Sequence, residues 1–320
     1  MIKQLLSIFF IIALHSALSA QKIDNTASFR DIKADRYFRF NYDNDFFAAR
    51  DQDYTQGYSF ELVSPAMKKN PINRILLNPK KTQNKYGLAI EHIGFTAFNI
   101  KSPDIQYSDR PFAAAIMLKN FSIATDTLNK YRLMSSANVG LIGPGAFGNE
   151  MQTAIHKATG NPIPYGWKNQ IKNDLVLNYE ISFEKQLLRY KNLFSLQSNT
   201  TLRLGTLFTN ATVGCNATFG IINNPFISSK TKRTFSLYGY AQPLINAIGY
   251  DATLQGGLFN RKSPYTIADS KIQRLTTQLN YGLVLQTKTL YFEYSRASQT
   301  KEFKHGRSSK WGGIKVGLTF

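Results

Sequence analysis

Apolar and polar residues alternate with a period of two along most of the chain. In "LVLNYEISFE", Leu175, Leu177, Tyr179, Ile181 and Phe183 share one parity, and Asn178, Glu180, Ser182 and Glu184 take the other. "QLNYGLVLQ" repeats the device, with Leu279, Tyr281, Leu283 and Leu285 opposed by Gln278, Asn280, Gly282 and Gln286. "YSFELV" does so with Tyr58, Phe60 and Leu62, and "TLYFEYS" with Leu290, Phe292 and Tyr294. Successive side chains of a strand point to opposite faces, so these segments predict strands with one apolar and one polar face. The pattern places strands near 36–43, 55–64, 86–95, 111–121, 131–141, 174–186, 194–208, 211–221, 234–245, 273–287, 289–298 and 311–320.

A soluble sandwich and a membrane barrel both use such strands. Three features favour the barrel: strands of about ten residues, many aromatics, and a final alternating stretch, "GGIKVGLTF", that closes on an aromatic residue. Ile314, Val316, Leu318 and Phe320 share one face of that stretch. The even strand count is the one single-chain bacterial barrels require. The expected fold is all-β, a twelve-stranded antiparallel transmembrane β-barrel with a short helix in an extracellular loop. With both termini on the periplasmic side, the outward connections include 44–54, 96–110, 142–173 and 299–310. "TDTLN" at 125–129 is a short inward turn, and 65–85, "PAMKKNPINRILLNPKKTQNK", is a long basic inward connection without an assigned role.

Residues 1–20, "MIKQLLSIFFIIALHSALSA", have the layout of a secretory signal peptide, a basic start, an apolar core and small residues at the end, which leaves 21–320 as the barrel domain. Beyond the leader no apolar run is long enough for a helical membrane span. A single cysteine, Cys215, excludes an intramolecular disulfide framework; sharing a face with Val213 and Phe219, it reads as a small lipid-facing residue. Lys and Arg total 39 against 20 Asp and Glu, a net charge of +19 that points to a polyanionic neighbour. In an exported protein that neighbour is anionic lipid or lipopolysaccharide phosphate, not nucleic acid.

Against this basic background, "YDNDFFAARDQDYTQG" concentrates acidic residues on the first outward connection. The longest outward connection, "GPGAFGNEMQTAIHKATGNPIPYGWKNQIKND", holds helix-forming residues between Gly148 and Gly160. Gln152 and His156 stand four apart in it and share a helical face. Histidine is the side chain suited to general-base work near neutral pH, although a polar residue on a solvated loop helix has the same appearance. Asp51 and Asp53 read either as calcium ligands or as a solvated rim, and His92 as a strand residue. His305, in the basic loop "KEFKHGRSSK", reads as a neighbour of lipopolysaccharide phosphates.

"NDFFAARDQDYTQG", "GFTAFNIKSPDIQYSDRPFA" and the pattern GPxAxGxExQxxxH followed by GWxxQ together resemble the outer-membrane lipid A 3'-O-deacylases, the LpxR family, from about Phe38 to the C-terminus. The resemblance implies a barrel in the outer membrane with a calcium-dependent site at the outer-leaflet level, between the wall and a loop helix. It also implies hydrolysis of the ester that holds the 3'-linked acyloxyacyl group of lipid A, by an enzyme surrounded by outer-membrane lipids and acting as a monomer. The matching positions are Asn44, Asp45, Thr55, Gln152 and His156, with Lys101 reached through a small gap. His156 then serves as base, Gln152 orients it or the water, Asn44 and Asp45 offer oxygen to calcium, and Lys101 meets a lipid A phosphate or the oxyanion. Thr55 shares parity with Gly57, Ser59 and Glu61 and is expected on the polar side of its strand.

The chain departs from the family at "GNPIP", 160–164, where Asn161 stands near the position of a further acidic residue. Strict alternation also cannot turn Asn44 and Asp45 the same way, so a bulge or strand end is required there. A non-enzymatic barrel, a porin or a relative with a decayed site, is the alternative.

Overall fold

A computed structural model describes residues 26–48, 53–226 and 235–320. The leader expected at 1–20 lies outside the described residues. Twelve antiparallel strands close into one barrel. They are β1 (Tyr37–Asn44), β2 (Asp53–Val63), β3 (Gln83–Thr96), β4 (Ala113–Asp126), β5 (Tyr131–Ile142) and β6 (Asp174–Tyr190). The second half comprises β7 (Phe194–Gly205), β8 (Phe208–Ile221), β9 (Phe235–Asp251), β10 (Leu275–Thr287), β11 (Leu290–Gln299) and β12 (Ser309–Thr319). Each strand pairs with its sequence neighbours, and β1 closes on β12 with Tyr37 opposite Thr319 and Asn44 opposite Gly312. Closure leaves no unpaired edge, the condition for a sheet to cross hydrocarbon. Among the described residues no helix is long and apolar enough to cross a membrane.

The alternation places the expected apolar face outside. Phe38, Phe60, Ile90, Leu118 and Val139 are exposed, while their neighbours Arg39, Glu61, Glu91 and Lys119 are buried in the lumen. Such inversion is the mark of a barrel whose outer solvent is lipid. The connections 97–112, 143–173, 252–274 and 300–308 gather at one end. The short turns 127–130, 191–193 and 288–289 lie at the other, with the start of β1 and the end of β12. Short turns belong to the periplasmic side, so the long loops face outward.

The lumen is filled by paired charges, and the segment before β1 enters it. Ser28 donates its backbone N–H to Glu184 at 2.8 Å, and the Arg30 guanidinium reaches Glu293 at 2.9 Å and the Tyr240 hydroxyl at 2.5 Å. Arg39 grips Glu61 with two contacts of 3.1 and 2.9 Å, and Arg132 meets Glu184 at 3.0 Å. A buried charge is tolerated only when paired and hydrogen-bonded.

Candidate active site

The loop after β5 builds a helix, α1 (Gly148–Thr159), which starts after a 3-10 turn at Pro144–Ala146 and stops at Gly160, φ 71°. A left-handed glycine just past the last turn is a common helix stop. The buried residues of α1 are Gly148, Gln152 and His156, spaced by four and so aligned on one face. That face meets the outside of the barrel. Ala114 and Ile116 of β4, which alternate with the inward Met117 and Lys119, pack with Ala97, Ile100, Phe112, Ala146 and Trp167 in an apolar cluster under the loop.

The glycines of the loop motif allow close approach. A Cβ on Gly148 would sit 2.5 Å from the Ala114 Cβ and 2.6 Å from the Trp167 ring, and one on Gly166 would sit 2.3 Å from the Phe112 ring. Brought in this way, Trp167 donates its indole N–H to Gln152 Oε1 at 2.6 Å. The Gln152 oxygen is thereby committed. Its amide nitrogen is buried with no partner, a donor held ready beside His156. His156 Nδ1 lies 2.6 Å from the Pro162 carbonyl oxygen. A carbonyl only accepts, so Nδ1 carries the proton and Nε2 keeps its lone pair.

The wall side of the site lies at the rim of β1 to β3. β1 ends at Asn44, and Asp45 opens a 3-10 turn, Asp45–Ala48, which folds over β12 with Phe47 against Gly312. Asn44 donates to the Thr55 carbonyl at 2.5 Å and to the Tyr42 hydroxyl at 3.2 Å, and its own Oδ1 accepts from the Phe46 N–H at 2.7 Å. Asp45 is buried at the start of the turn.

Thr55 corrects an expectation. Its alternation with Gly57, Ser59 and Glu61 assigns it to the polar, lumen face, but the β2–β3 register shifts between Tyr54 and Gln56 and leaves Thr55 as the extra residue of a bulge. Beyond a bulge, parity counting fails. The Thr55 hydroxyl meets the Thr96 hydroxyl at 2.6 Å, and Thr96 has the parity of His92, not of the lumen-facing Glu91.

The wall and the loop meet at His92, which sequence alone reads as an ordinary strand residue. Its Nε2 lies 2.9 Å from the Ala146 carbonyl at the root of α1, and its ring stacks on Tyr58 with centroids 4.9 Å apart. His92 Nδ1 and Gln56 Nε2 are buried without partners, and Gly94 leaves room between the two side chains. Two groups of candidate residues thus form. Asn44 and Thr55 are bonded on the wall, and Gln152 and His156 share a face of α1. No hydrogen bond joins one group to the other; the His92–Ala146 contact ties their supports together.

The other candidates stand apart. Lys101 is exposed on the turn after β3, His305 is exposed in the 300–308 loop, and Asn161 is exposed and donates to Thr159 at 3.0 Å. Asp51 lies outside the described residues, as does the side chain of Asp53. Cys215 is partly buried, on the same face as the exposed Val213 and Phe219. Sequence reasoning missed Thr96, Gln56 and the role of Trp167, although the Gly-Trp pair after the helix was the available signal for the last.

The family model for outer membrane protein LpxR matches residues 5–320. The chain belongs to the LpxR family. Its fold matches LpxR from Salmonella typhimurium with a TM-score of 0.72 at 17% identity, covering 89% of this chain and 100% of that one. The β domain of the Bordetella autotransporter BrkA follows with a TM-score of 0.48 at 8% identity, covering 90% of this chain and 100% of that one. No curated protein sequence matches the chain. LpxR-family membership and the closed barrel together make this an outer-membrane protein.

The donor set fits poorly the calcium ion expected from the resemblance. Among the described residues no three His, Cys, Asp or Glu side chains converge. The Asn44 amide is engaged at both ends, and Asp43 is turned into the lumen toward Lys315, 3.8 Å away. Asp45, buried at the start of the turn, is then the nearest carboxylate among the described wall residues, a poor match for an ion that takes six to eight oxygens.

Proposed function

We propose that this LpxR-family barrel is an outer-membrane esterase that removes the 3'-linked acyloxyacyl group from lipid A of lipopolysaccharide. The observation that carries the reading is the pairing on α1: a histidine whose Nδ1 is fixed by the Pro162 carbonyl, beside a glutamine whose oxygen is fixed by Trp167. Both are held on the outside of the barrel, at the end where the long loops lie. A lipid substrate in the outer leaflet reaches such a site laterally.

In this reading His156 Nε2 takes a proton from water as the oxygen attacks the ester carbonyl. The Gln152 amide N–H donates to the developing oxyanion. Collapse of the tetrahedral intermediate breaks the bond to the sugar oxygen, and the His156 imidazolium returns its proton to that leaving oxygen. The products are a free acyloxyacyl acid and a lipid A with a 3'-hydroxyl. General-base assistance is worth about 10²- to 10⁴-fold, and one oxyanion donor about 10²- to 10³-fold. Asn44, Thr55 and Thr96 shape the wall opposite α1, and Lys101, exposed on the turn after β3, pairs with a lipid A phosphate. A calcium ion, if taken up, would draw on the oxygens of Asp45 and would supply polarisation of the ester carbonyl.

Mass spectrometry of lipid A from cells expressing the chain tests the reading: loss of the 3'-linked acyloxyacyl mass is expected. Lipid A unchanged at every calcium level favours the alternative of a barrel with a decayed site, for which the incomplete donor set around Asp45 speaks.

A further inference from the structure

The connection between β2 and β3, residues 64–82, takes no part in the esterase reading, yet it is a built element. It holds two 3-10 turns, Pro65–Lys69 and Pro71–Ile75, each opened by a capping side chain and a proline. Proline at the first position of a turn and a polar cap before it both favour its start.

These turns do not hang free below the barrel. Asn70 donates to Asn120 Oδ1 at 2.8 Å, and Asn120 donates to Asn73 Oδ1 at 3.0 Å. The Leu77 N–H reaches Ser135 Oγ at 2.8 Å, and the Tyr179 hydroxyl donates to the Ile75 carbonyl at 2.6 Å. Asn120, Ser135 and Tyr179 alternate with the buried Lys119, Arg132 and Glu180 of the lumen network, so they belong to the lipid-facing parity of β4, β5 and β6. The segment is therefore a strap laid across the outside of three strands. Ser135 stands four residues above the first residue of β5, roughly 10 Å up from the periplasmic turn for a strand tilted by about 40°. The strap thus lies against the periplasmic half of the barrel wall.

Each side of the strap has a distinct chemistry. Inward, it satisfies polar wall residues that hydrocarbon would leave unpaired. Outward, Ile72, Ile75 and Leu77 are 44%, 59% and 41% exposed. Lys68, Lys69, Arg74, Lys80 and Lys81 are exposed among them, and 64–82 contains no Asp or Glu. None of the five cations forms an ion pair among the described residues, whereas the lumen pairs its own. Apolar side chains interleaved with unpaired cations suit a boundary with hydrocarbon on one side and anions on the other.

We propose that the 64–82 strap is a docking surface for anionic glycerophospholipids of the periplasmic leaflet, its cations on the phosphodiesters and its Ile and Leu side chains among the upper acyl carbons. The depth of the barrel is then fixed from below, which sets the level of α1 in the opposite leaflet. The inference is independent of the esterase reading.

The test uses the full chain refolded in phosphatidylethanolamine vesicles with a fraction of phosphatidylglycerol, and Ile75→Trp as a reporter. The two native tryptophans, Trp167 and Trp311, are buried and give the background, measured in the unsubstituted chain. Brominated phosphatidylglycerol is expected to quench the reporter about threefold more strongly per mole than brominated phosphatidylethanolamine, since one cation at an anionic surface shifts a partition up to about fivefold. Combined Lys68→Gln, Lys69→Gln, Arg74→Gln, Lys80→Gln and Lys81→Gln should bring the ratio to about one, with the barrel still heat-modifiable on a gel. The pair Lys80→Gln and Lys81→Gln alone, away from the hydrogen bonds that tie the strap to the barrel wall, should give an intermediate ratio. Equal quenching by the two lipids before substitution overturns the proposal. So does a preference that survives the five changes, or a reporter that no brominated lipid quenches, as a strap facing water or a periplasmic protein would give.

Discussion

Replacing Trp167 by phenylalanine isolates what the indole N–H does for the site. The ring that packs between Phe112 and Gly148 is largely kept, while the 2.6 Å bond to Gln152 Oε1 is lost. Gln152 is 1% exposed, so its oxygen is left buried without a donor, at a cost of about 1–3 kcal/mol. The amide escapes that cost by turning, which moves its N–H away from the oxyanion position. A population shift of that size lowers the reactive fraction by about fivefold to 150-fold, at or below the low end of the 10²- to 10³-fold expected for Gln152→Ala. The barrel should remain folded, because the cluster under α1 is separate from the two luminal clusters. The assay is kcat for acyl release from purified lipid A, in a double-mutant cycle with Gln152→Ala. If Trp167 acts through Gln152, Trp167→Phe adds almost nothing in the Gln152→Ala background. Unchanged kcat in Trp167→Phe, or losses that multiply in full, would refute the reasoning.

His156→Gln should lower ester hydrolysis by about 10²- to 10⁴-fold with the barrel still heat-modifiable; a loss under tenfold in the same acyl-release assay would assign the base elsewhere. Chelation should reduce activity and millimolar calcium restore it, with a weaker response in Asp45→Ala; activity indifferent to chelator sinks the calcium proposal. Asp31, buried in the segment that enters the lumen, has its carboxyl held down to about 2: burial opposes ionisation, and Lys85, Lys33 and Arg132 outweigh it. Because the folded value is depressed, its contribution is present above about pH 4 and is lost as pH falls toward 2. Unfolding midpoints measured from pH 5 to 2 should therefore drop less steeply for Asp31→Asn than for the unsubstituted chain, and parallel curves would contradict the assignment.

Strand number, closure and lipid-facing side were legible in the sequence, because side chains alternate with a period of two and a membrane barrel demands an apolar outer face. Phe38, Phe60 and Leu118 announce that face locally, without any need of a partner strand. The α1 helix was legible for a similar reason, with Gly148 and Gly160 bounding a run whose Gln152 and His156 share one side. Local alternation could not give what depends on register. The bulge at Thr55 arises from how β2 lies on β3, so its parity, counted from Gly57, was assigned to the wrong face. His92 and Trp167 carry no sign in their own neighbourhoods of the Ala146 carbonyl or the Gln152 amide they meet, 54 and 15 residues away. The basic 64–82 segment shows the same division: composition displays its charge, but only the closed barrel brings Asn70 to Asn120 and leaves its cations exposed on the outside of the wall. Periodicity is a property of consecutive residues and is written in the chain, whereas a pairing between distant residues exists only once closure has fixed every register at once.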